Sequence, residues 1–393
     1  MKALILAAGR GTRLQPMTNS IPKPMIPIVH KPVMETLVDL LRTHRFDEIV
    51  VNTSHLASEI ENYFRDGHGF GVQMSYSFEG YKSNGKIVSQ PLGSAGAIRK
   101  IHEGSGFFDS TFAVLCGDAM VDMDLSRMLA FHRQKGALAT VALKTLPDIQ
   151  LENYGVALCD GDNRIHGFQE KPKRGEARSH QASTGIYIFE PEILAHIPAS
   201  GSFDIGGQLF PQLVAVGAPV YGVELPFTRW FDIGRLEDYH RTVMQVMVGY
   251  VDGFKLPGRE VRSGLRVGSN VRADFSKIHS SGPVYIGSGA TISDDAVLVG
   301  PVVIGAGSVI GSGAHIERSV VMDDTRIGGF AYLKNKVIGN DYCFDADGTV
   351  LDAGITDSDW LFASARSLNM PLNDEQRWVM AHNMEAATAS AAA

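Results

Sequence analysis

A six-residue period in the C-terminal half is the feature that most restricts what this chain can fold into. From residue 286 to residue 322 a large apolar side chain recurs at every sixth position, and a small or β-branched residue comes four positions after each of the first six. The large apolar positions are Ile286, Ile292, Leu298, Ile304, Ile310, Ile316 and Met322. This period fits neither an α-helix nor an ordinary strand, and it is typical of a parallel β-helix built from hexapeptide repeats. With a one-residue slip at Ile327, the repeat covers about residues 264 to 339 and predicts about four triangular coils of 18 residues.

The first 241 residues show a different pattern, in which strand-like and helix-like segments alternate. Runs rich in aliphatic and β-branched residues occupy positions 2–6, 48–52, 73–78, 111–116 and 139–143, and helical patterns occupy 33–44, 54–65, 94–102 and 125–134. Such alternation predicts an α/β domain with a doubly wound, mostly parallel, Rossmann-like sheet. Ligands of these sheets bind beyond the carboxyl ends of the strands.

These two patterns divide the chain into four predicted segments. Residues 1–245 form the α/β domain, residues 246–263 a linker, residues 264–355 the β-helix, and residues 356–393 a helical or disordered tail. In the tail, residues 360–362 and 374–384 are expected to form a helix that docks on the repeats. A chain of 393 residues is long enough for two domains.

Composition and charge narrow the choice of partners and compartment. The net charge of −7 argues against a nucleic-acid-binding surface. Cys116, Cys159 and Cys343 lack metal-ligand spacing and are expected to be reduced thiols. The sequence contains no apolar run long enough to span a membrane, and the apolar run before Gly9 is too short for a signal peptide. We therefore expect a cytoplasmic protein that binds small molecules and neither nucleic acid nor membrane.

The segment that follows the first predicted strand has the composition of a phosphate-binding turn. Residues 6–16 read LAAGRGTRLQP, and residues 21–25 read IPKPM. Glycines allow backbone N–H groups to approach a phosphate closely. Arg13 offers a guanidinium fork for further phosphate oxygens, and the prolines around Lys23 hold a second cation in place. The spacing differs from the usual dinucleotide and phosphate-loop patterns, so a generic tight turn after a first strand is the alternative.

Two aspartates at predicted strand ends are candidate ligands for Mg²⁺. Asp118 follows the apolar run Val-Leu-Cys-Gly, and Asp232 stands in the segment Trp-Phe-Asp-Ile-Gly. Mg²⁺ prefers one or two carboxylates together with phosphate oxygens. The competing interpretation is helix capping, by Asp124 ahead of the helix at residue 125 and by Asp232 ahead of a helix near Arg235.

The glycine-rich segment and the Pro-Lys-Pro-Met segment together resemble the opening of the sugar-1-phosphate nucleotidyltransferases. The resemblance implies a glycine-rich loop around a nucleoside triphosphate, with Arg13 on its outer phosphates and Lys23 on the reacting phosphates. It also implies that Asp118 and Asp232 hold Mg²⁺, the expected cofactor. The implied catalytic residues are Arg13, Lys23 and Lys171.

Further motifs of the same family imply the sugar and base contacts. The segment Glu-Lys-Pro implies sugar-hydroxyl contacts for Glu170 and a sugar-phosphate contact for Lys171. The segments around Gly155 and Thr184 resemble sugar-binding motifs, although Ser183 stands where asparagine is usual. Residues 90–96, which read QPLGSAG, are the expected base-binding loop. The implied nucleotide contacts are Leu6, Ala8, Gly9, Gly11, Thr12, Arg13, Gln90, Leu92, Gly93 and Ser94.

The resemblance implies transfer of a nucleotidyl group from a nucleoside triphosphate to a sugar 1-phosphate. The sequence of the base-binding loop resembles that of the mannose-1-phosphate guanylyltransferases and so favours GTP with mannose 1-phosphate. The alternative is glucose 1-phosphate with dTTP or UTP. The β-helix is expected to be left-handed, as in the family, and to support a homo-oligomer. Two other functions are considered, a hexapeptide-repeat acyltransferase that uses His315 and a regulatory subunit without activity.

Overall fold

The computed structural model describes residues 1–83, 86–226, 229–251, 253–351 and 361–366. The chain divides into two compact units. The first unit contains Met1–Thr12, Ser20–Ile26 and Pro32–Asp232, and the second contains Arg13–Asn19, Pro27–Lys31 and Ile233–Ala393. The helix expected at residues 374–384 lies outside the described residues, as does Trp360. The helix expected at residues 360–362 is wrong for Phe362, which begins a short strand, Phe362–Ser364, that pairs antiparallel with Thr325–Ile327 of the repeats. Within the described residues, no helix is long and apolar enough to cross a membrane.

The N-terminal part of the chain alternates strands and helices, as the sequence pattern predicts. Its strands are β1 (Lys2–Leu6), β2 (Pro27–Ile28), β3 (Lys31–Pro32), β4 (Glu48–Thr53), β5 (Gln73–Phe78), β6 (Gly80–Ser83), β7 (Lys86–Ser89), β8 (Phe112–Cys116), β9 (Ala119–Asp122), β10 (Ala139–Thr145), β11 (Gly155–Cys159), β12 (Ile165–Glu170), β13 (Gln181–Phe189), β14 (Val220–Val223) and β15 (Arg229–Asp232). The described residues form the α-helices α1 (Val33–Thr43), α2 (Ala57–Phe64), α3 (Ser94–Ser105), α4 (Leu125–Lys135), α5 (Asp148–Leu151), α6 (Phe210–Ala215) and α7 (Leu236–Met247). A π-helical turn, Ile205–Leu209, leads into α6, and 3₁₀ turns occupy Thr12–Leu14, Met17–Asn19, Lys23–Met25, His68–Phe70 and Pro191–His196.

The main sheet of the first unit is parallel in one half and antiparallel in the other. Its strand order is β12-β11-β13-β8-β1-β4-β5, and β10 pairs with both β13 and β14. The strands β8, β1, β4 and β5 run parallel, whereas β13, β11 and β12 are antiparallel to their neighbours. The parallel half is formed by four of the strands expected from the sequence, and its carboxyl ends meet at one edge.

The central strand β1 is covered on both faces, which is why its sequence is apolar throughout. Ala3 and Ile5 belong to a buried cluster that includes Leu37 of α1. Leu4, which points to the opposite face, belongs to a cluster that includes Ile98 of α3. Alternating side chains of a strand face opposite sides, so a doubly covered parallel strand needs apolar residues at successive positions.

The described C-terminal strands are short, and most of them stack in parallel ladders, as expected for a β-helix. They are β16 (Arg259–Arg262), β17 (Leu265–Val267), β18 (His279–Ser281), β19 (Val284–Ile286), β20 (Thr291–Ile292), β21 (Val297–Val299), β22 (Val302–Ile304), β23 (Val309–Ile310), β24 (His315–Glu317), β25 (Val320–Val321), β26 (Thr325–Ile327), β27 (Tyr332–Lys334), β28 (Lys336–Ile338), β29 (Cys343–Asp345), β30 (Val350–Leu351) and β31 (Phe362–Ser364). Parallel ladders join β17-β19-β22-β25-β28, β18-β21-β24-β27 and β20-β23-β26. The strands β16, β29, β30 and β31 pair antiparallel with their neighbours. The apolar residues of the six-residue period from Ile286 to Ile316 line the interior.

The slip in the repeat occurs earlier than the sequence pattern places it. Val297 pairs with His315, 18 residues later, whereas Ile304 pairs with Val321, only 17 residues later. Val321 therefore takes the core position that the strict period assigns to Met322. Met322 is buried elsewhere, where its Sδ accepts a hydrogen bond from the Tyr239 hydroxyl at 3.5 Å. The assignment of Met322 to the core column is wrong, because the step after Ile316 has five residues instead of six.

Candidate active site

The ends of β1 and β8 approach so closely that only glycine fits between them. Leu6, at the end of β1, pairs with Cys116 at the end of β8, and the Gly117 N–H donates to the Leu6 carbonyl at 2.9 Å. A Cβ atom added at Gly117 would lie 2.8 Å from that carbonyl oxygen. The next residue, Asp118, is consequently fixed beside the turn that follows β1.

A two-stranded ribbon brings the second aspartate to the same place. Strand β15 pairs antiparallel with β9, so that Asp232 lies opposite Ala119, the residue after Asp118. Burial raises the pKa of the Cys116 thiol, and the negative charges of Asp118 and Asp232 raise it further. Both carboxylates therefore act on one buried group. The structure brings together two aspartates that are more than 110 positions apart in the sequence.

Each of the two carboxylates has a polar partner. The Lys23 ammonium forms an ion pair with Asp118 Oδ2, and the Lys23 side chain is only 10% exposed. The 3₁₀ turn Lys23–Met25, which begins after Pro22, holds this lysine in place. The Tyr154 hydroxyl donates to Asp232 Oδ2 at 3.1 Å. A buried cation requires a nearby anion, so Lys23 and Asp118 stabilise each other.

The capping interpretation applies to Asp124 and does not apply to Asp232. Asp124 Oδ1 accepts a hydrogen bond from the Arg127 N–H at 2.9 Å and caps α4. The residue that precedes α7 is Arg235, and its side chain makes no capping bond. Helix capping therefore does not explain the position of Asp232.

The donor set at this place suits Mg²⁺ that is shared with a substrate. Among the described residues, no group of three or more His, Cys, Asp or Glu side chains is arranged to hold a metal ion. Mg²⁺ commonly binds through one or two carboxylates, with the remaining positions taken by water and substrate phosphates. Asp118 and Asp232 match this requirement, and their assignment as ligands remains a prediction.

The glycine-rich turn carries the first group of expected nucleotide contacts. Gly9 has open space around it, and Gly11 adopts φ of +65°, a conformation that suits glycine. Thr12 and Arg13 lie in the 3₁₀ turn Thr12–Leu14. Leu6 ends β1, and Ala8 lies two residues further on. The phosphate contacts expected of these residues remain predictions.

The expected base-binding loop has a tightly fixed backbone. Gly93 has φ of +73°, and a Cβ atom there would lie 2.5 Å from the Phe203 carbonyl oxygen. The Leu92 carbonyl accepts from the Phe203 N–H at 2.8 Å. The Ser94 hydroxyl donates to Asp204 Oδ2 at 2.8 Å. These contacts fix the shape of the loop that begins at Gln90, although none of them identifies a base.

The expected sugar-binding residues come from neighbouring strands. Gly155 of β11 lies opposite Glu170 of β12, and a Cβ atom at Gly155 would lie 2.6 Å from the Phe168 ring. The Lys171 ammonium lies 3.1 Å from Glu170 Oε1 and is well exposed. Lys171 has φ of +46°, and its N–H donates to the Tyr154 carbonyl at 3.1 Å. The structure therefore places Gly155, Glu170 and Lys171 together.

The third sugar motif differs from the expectation in its side-chain contacts. The Thr184 hydroxyl donates to the Ala142 carbonyl at 2.9 Å, so this donor is used within the sheet. Ser183, which replaces the usual asparagine, is buried, and its hydroxyl lies 3.3 Å from the Tyr187 hydroxyl. The sugar contact expected at Thr184 remains a prediction.

Comparison with known proteins identifies the family. The family model described as "Nucleotidyl transferase" matches residues 2–248. The chain belongs to this nucleotidyl transferase family. A second model, described as "GMPPB C-terminal domain", matches residues 280–353.

Full-length relatives and a solved structure extend this result. A UTP–glucose-1-phosphate uridylyltransferase from Synechocystis is 49% identical, and the alignment covers 93% of this chain and 94% of that protein. The mannose-1-phosphate guanylyltransferase catalytic subunit beta of Danio rerio is 30% identical, with 86% of each chain covered. The solved structure of a putative glucose-1-phosphate thymidylyltransferase from Bacillus anthracis matches with a TM-score of 0.55 at 22% sequence identity. The match covers 65% of this chain and 97% of that chain, and it supports the fold alone.

Two buried residues of this nucleotidyl transferase, Asn52 and Glu79, were not expected from the sequence. Asn52 is 3% exposed and ends the apolar run of β4, and Glu79 is 5% exposed and follows β5. Both lie at the carboxyl ends of parallel strands, beside the turn after β1. The sequence signal that could have identified them is a polar residue at the carboxyl end of an apolar strand, because ligand sites of such sheets lie at the carboxyl ends of the strands.

Proposed function

We propose that this protein transfers the nucleotidyl group of UTP to glucose 1-phosphate, forming a nucleotide sugar and pyrophosphate. The observation that carries the reaction class is the pairing of β9 with β15, which sets Asp232 beside Asp118 and its partner Lys23. Two carboxylates with an adjacent buried ammonium are suited to a triphosphate and its metal ion. Membership of the nucleotidyl transferase family supports the same reaction class.

The proposed reaction needs positioning and charge neutralisation, and it needs no protein nucleophile. An oxygen of the sugar 1-phosphate attacks the α-phosphorus, a new P–O bond forms, and the bond from the α-phosphorus to the bridging oxygen breaks. The electron pair of that bond leaves with pyrophosphate. Because both reactants are anions, the enzyme must hold them in line against their mutual repulsion.

The residues of this chain divide that work between them. Lys23 moves from Asp118 to the reacting phosphates, Arg13 contacts the outer phosphates, and Lys171 holds the sugar phosphate. Asp118 and Asp232 would hold Mg²⁺, which supplies positive charge to the phosphate oxygens. The Tyr154 hydroxyl orients Asp232 through its hydrogen bond.

UTP with glucose 1-phosphate is favoured by the relative that is 49% identical over nearly the whole chain. GTP with mannose 1-phosphate, which the sequence of residues 90–96 favours, is the second candidate substrate pair. It is supported by the match of residues 280–353 to the GMPPB C-terminal domain and by the relative at 30% identity. The uridylyltransferase relative is 49% identical to this chain and the guanylyltransferase relative 30%, so UTP with glucose 1-phosphate is the preferred substrate pair.

A substrate grid tests this proposal. Purified protein with Mg²⁺ is supplied with UTP, dTTP, GTP, ATP or CTP and with glucose, mannose or galactose 1-phosphate, and pyrophosphate release is measured. We expect the highest kcat/KM for UTP with glucose 1-phosphate. A preference for GTP with mannose 1-phosphate would keep the reaction and reverse the substrate assignment. Absence of release with every pair would contradict the proposed reaction.

A further inference from the structure

A chain of buried hydrogen bonds connects the turn after β1 with the loop at residue 92. The Ala7 N–H donates to Asn52 Oδ1 at 2.7 Å. Asn52 Nδ2 donates to Glu79 Oε1 at 2.6 Å. Glu79 Oε2 accepts a hydrogen bond from the Leu92 N–H at 3.3 Å. Two side chains thus link two backbone segments that carry expected nucleotide contacts.

The order of donors and acceptors in this chain is fully determined. The Ala7 N–H needs an acceptor, which fixes the amide oxygen of Asn52 on that side. The amide NH₂ of Asn52 then faces Glu79, whose carboxylate has only acceptors when ionised. The Leu92 N–H needs the second carboxylate oxygen. The Ala7 N–H also donates to the Asn52 backbone carbonyl at 3.2 Å. Reversing the Asn52 amide would nevertheless place two donors against each other on the Ala7 side and two acceptors against each other on the Glu79 side.

Burial of these two polar side chains is costly unless their hydrogen bonds are made. The Asn52 and Glu79 side chains are almost inaccessible to solvent. Burial raises the pKa of Glu79, whereas its bonds to Asn52 and Leu92 lower it. Apolar residues of similar size often pack at buried sites with no loss of stability. A buried carboxylate whose two oxygens each accept a hydrogen bond holds the groups bonded to it in a defined geometry.

We propose that Asn52 and Glu79 are positioning residues that set the distance between the glycine-rich turn and the base-binding loop, and thereby control nucleotide affinity. The inference rests on the proposed function, because it takes both linked segments to bind the same UTP, as the sequence leads us to expect. Neither side chain needs to touch the nucleotide. Each acts through the backbone N–H groups of Ala7 and Leu92.

Two single substitutions and their combination test the proposal. Glu79→Gln keeps the size of the side chain but turns an NH₂ group toward the Asn52 NH₂ or the Leu92 N–H. Asn52→Asp places two carboxylates against each other. The double variant N52D/E79Q restores the complete chain. The carboxylate introduced at position 52 accepts from the Ala7 N–H and from the amide introduced at position 79, and the oxygen of that amide accepts from the Leu92 N–H.

The expected results separate positioning from general stability. A buried polar group without a partner costs enough to raise the KM for UTP about tenfold in each single variant. The KM for glucose 1-phosphate should change less than about threefold, and the double variant should return to within about threefold of the wild-type KM for UTP. Glu190→Gln, which alters a partly buried carboxylate bonded to the buried His132, is the matched control. It should lower the melting temperature without raising the KM for UTP.

Four outcomes would overturn or separate the claims. An active Glu79→Gln variant with a wild-type KM for UTP would overturn the inference, and so would a double variant no better than the worse single variant. Titration calorimetry with UTP covers the case in which the wild type releases no pyrophosphate. Binding of UTP with the same pattern of loss and rescue would then support the inference and contradict only the proposed reaction. Absence of UTP binding by the wild type would overturn both.

Discussion

At the scale of single residues, the candidate site depends on positions where no side chain can be accommodated. Gly93→Ala would place a Cβ atom 2.5 Å from the Phe203 carbonyl oxygen in a backbone with φ of +73°. Because backbone cannot yield as a flexible side chain can, the loop from Gln90 to Ser94 must shift. We expect kcat/KM for the nucleotide to fall by about tenfold to a hundredfold, measured by pyrophosphate release.

Gly104→Ala is the control for this substitution. Gly104 lies in α3, the same helix that begins after Gly93, and nothing lies within 4 Å of an added Cβ atom. Alanine in a helix is favoured over glycine by about 1 kcal/mol, so this variant should be at least as stable as the wild type. Equal loss of activity in both alanine variants would contradict the steric explanation for Gly93.

The Tyr154 hydroxyl gives a second prediction at this scale. Tyr154→Phe removes the 3.1 Å hydrogen bond to Asp232 Oδ2 and leaves the ring in place. Groups that orient metal ligands typically change metal affinity by about 10- to 100-fold. We therefore expect the Mg²⁺ concentration for half-maximal activity to rise about tenfold. Tyr332→Phe, at an exposed tyrosine of β27, should leave that concentration unchanged.

Residue roles were predictable where they leave a local signature and not where they depend on distant partners. Gly9, Gly11 and the two prolines that flank Lys23 lie in one short stretch of sequence, so their shared role was predictable. The Tyr154 hydroxyl meets Asp232 only because the chain returns after 78 residues. Asn52 and Glu79 likewise meet across 27 residues, and no short motif contains both.

At the scale of elements, the six-residue period predicted the strand ladders of the β-helix but not the position of its slip. The interior of each coil accepts one apolar residue per six positions, so the sequence predicted the ladders well. The pattern could not place the slip, because Val321 and Met322 are both apolar and both buried. Only the pairing of Ile304 with Val321 distinguishes the two positions.

The β-helix core gives a stability prediction. Ile304 is fully buried in β22. Ile304→Ala removes apolar atoms from a stacked interior that cannot collapse freely, and we expect a loss of about 2–5 kcal/mol in the free energy of unfolding. Val350→Ala, at a position that is 44% exposed in β30, should cost less than about 1 kcal/mol. Similar losses in denaturant unfolding for both variants would contradict the assignment of Ile304 to the core.

The main sheet was predicted less completely than the β-helix. The strand patterns for β1, β4, β5 and β8 were found because doubly covered parallel strands are continuously apolar. The antiparallel direction of β11, β12 and β13 was not visible, since the apolar pattern of a strand does not reveal the direction of its neighbour.

At the scale of the whole molecule, buried histidines make stability depend on pH. Burial lowers the pKa of His132 in the first unit, against the opposing effect of Glu190, and burial also lowers the pKa of His240 in the second unit. Below a pH of about 6.5 the unfolded chain therefore binds more protons than the native chain at these sites. The contribution of these neutral histidines to the free energy of unfolding should be fully present at pH 7. The free energy of unfolding should therefore decrease as the pH falls from 7 toward 5.

Denaturant unfolding at several pH values measures this effect. His132→Gln should be less stable than the wild type at pH 7, because the bonds to Thr140 and Glu190 are altered. It should also lose less stability than the wild type between pH 7 and pH 5, since one buried titrating group is gone. A variant whose loss over this range equals that of the wild type would exclude His132 as a source of the dependence.

The central claim is that Asp118 and Asp232 form one site for nucleotidyl transfer, and pyrophosphate release by aspartate variants tests it most directly. Asp118→Asn, Asp232→Asn and the control Asp124→Asn are compared in the presence of Mg²⁺, UTP and glucose 1-phosphate. We predict that release requires both substrates and falls about 10²- to 10³-fold in the first two variants. Asp124→Asn should retain activity, because Asp124 caps α4. Undiminished release by Asp118→Asn or Asp232→Asn, or release without a sugar 1-phosphate, would contradict the account.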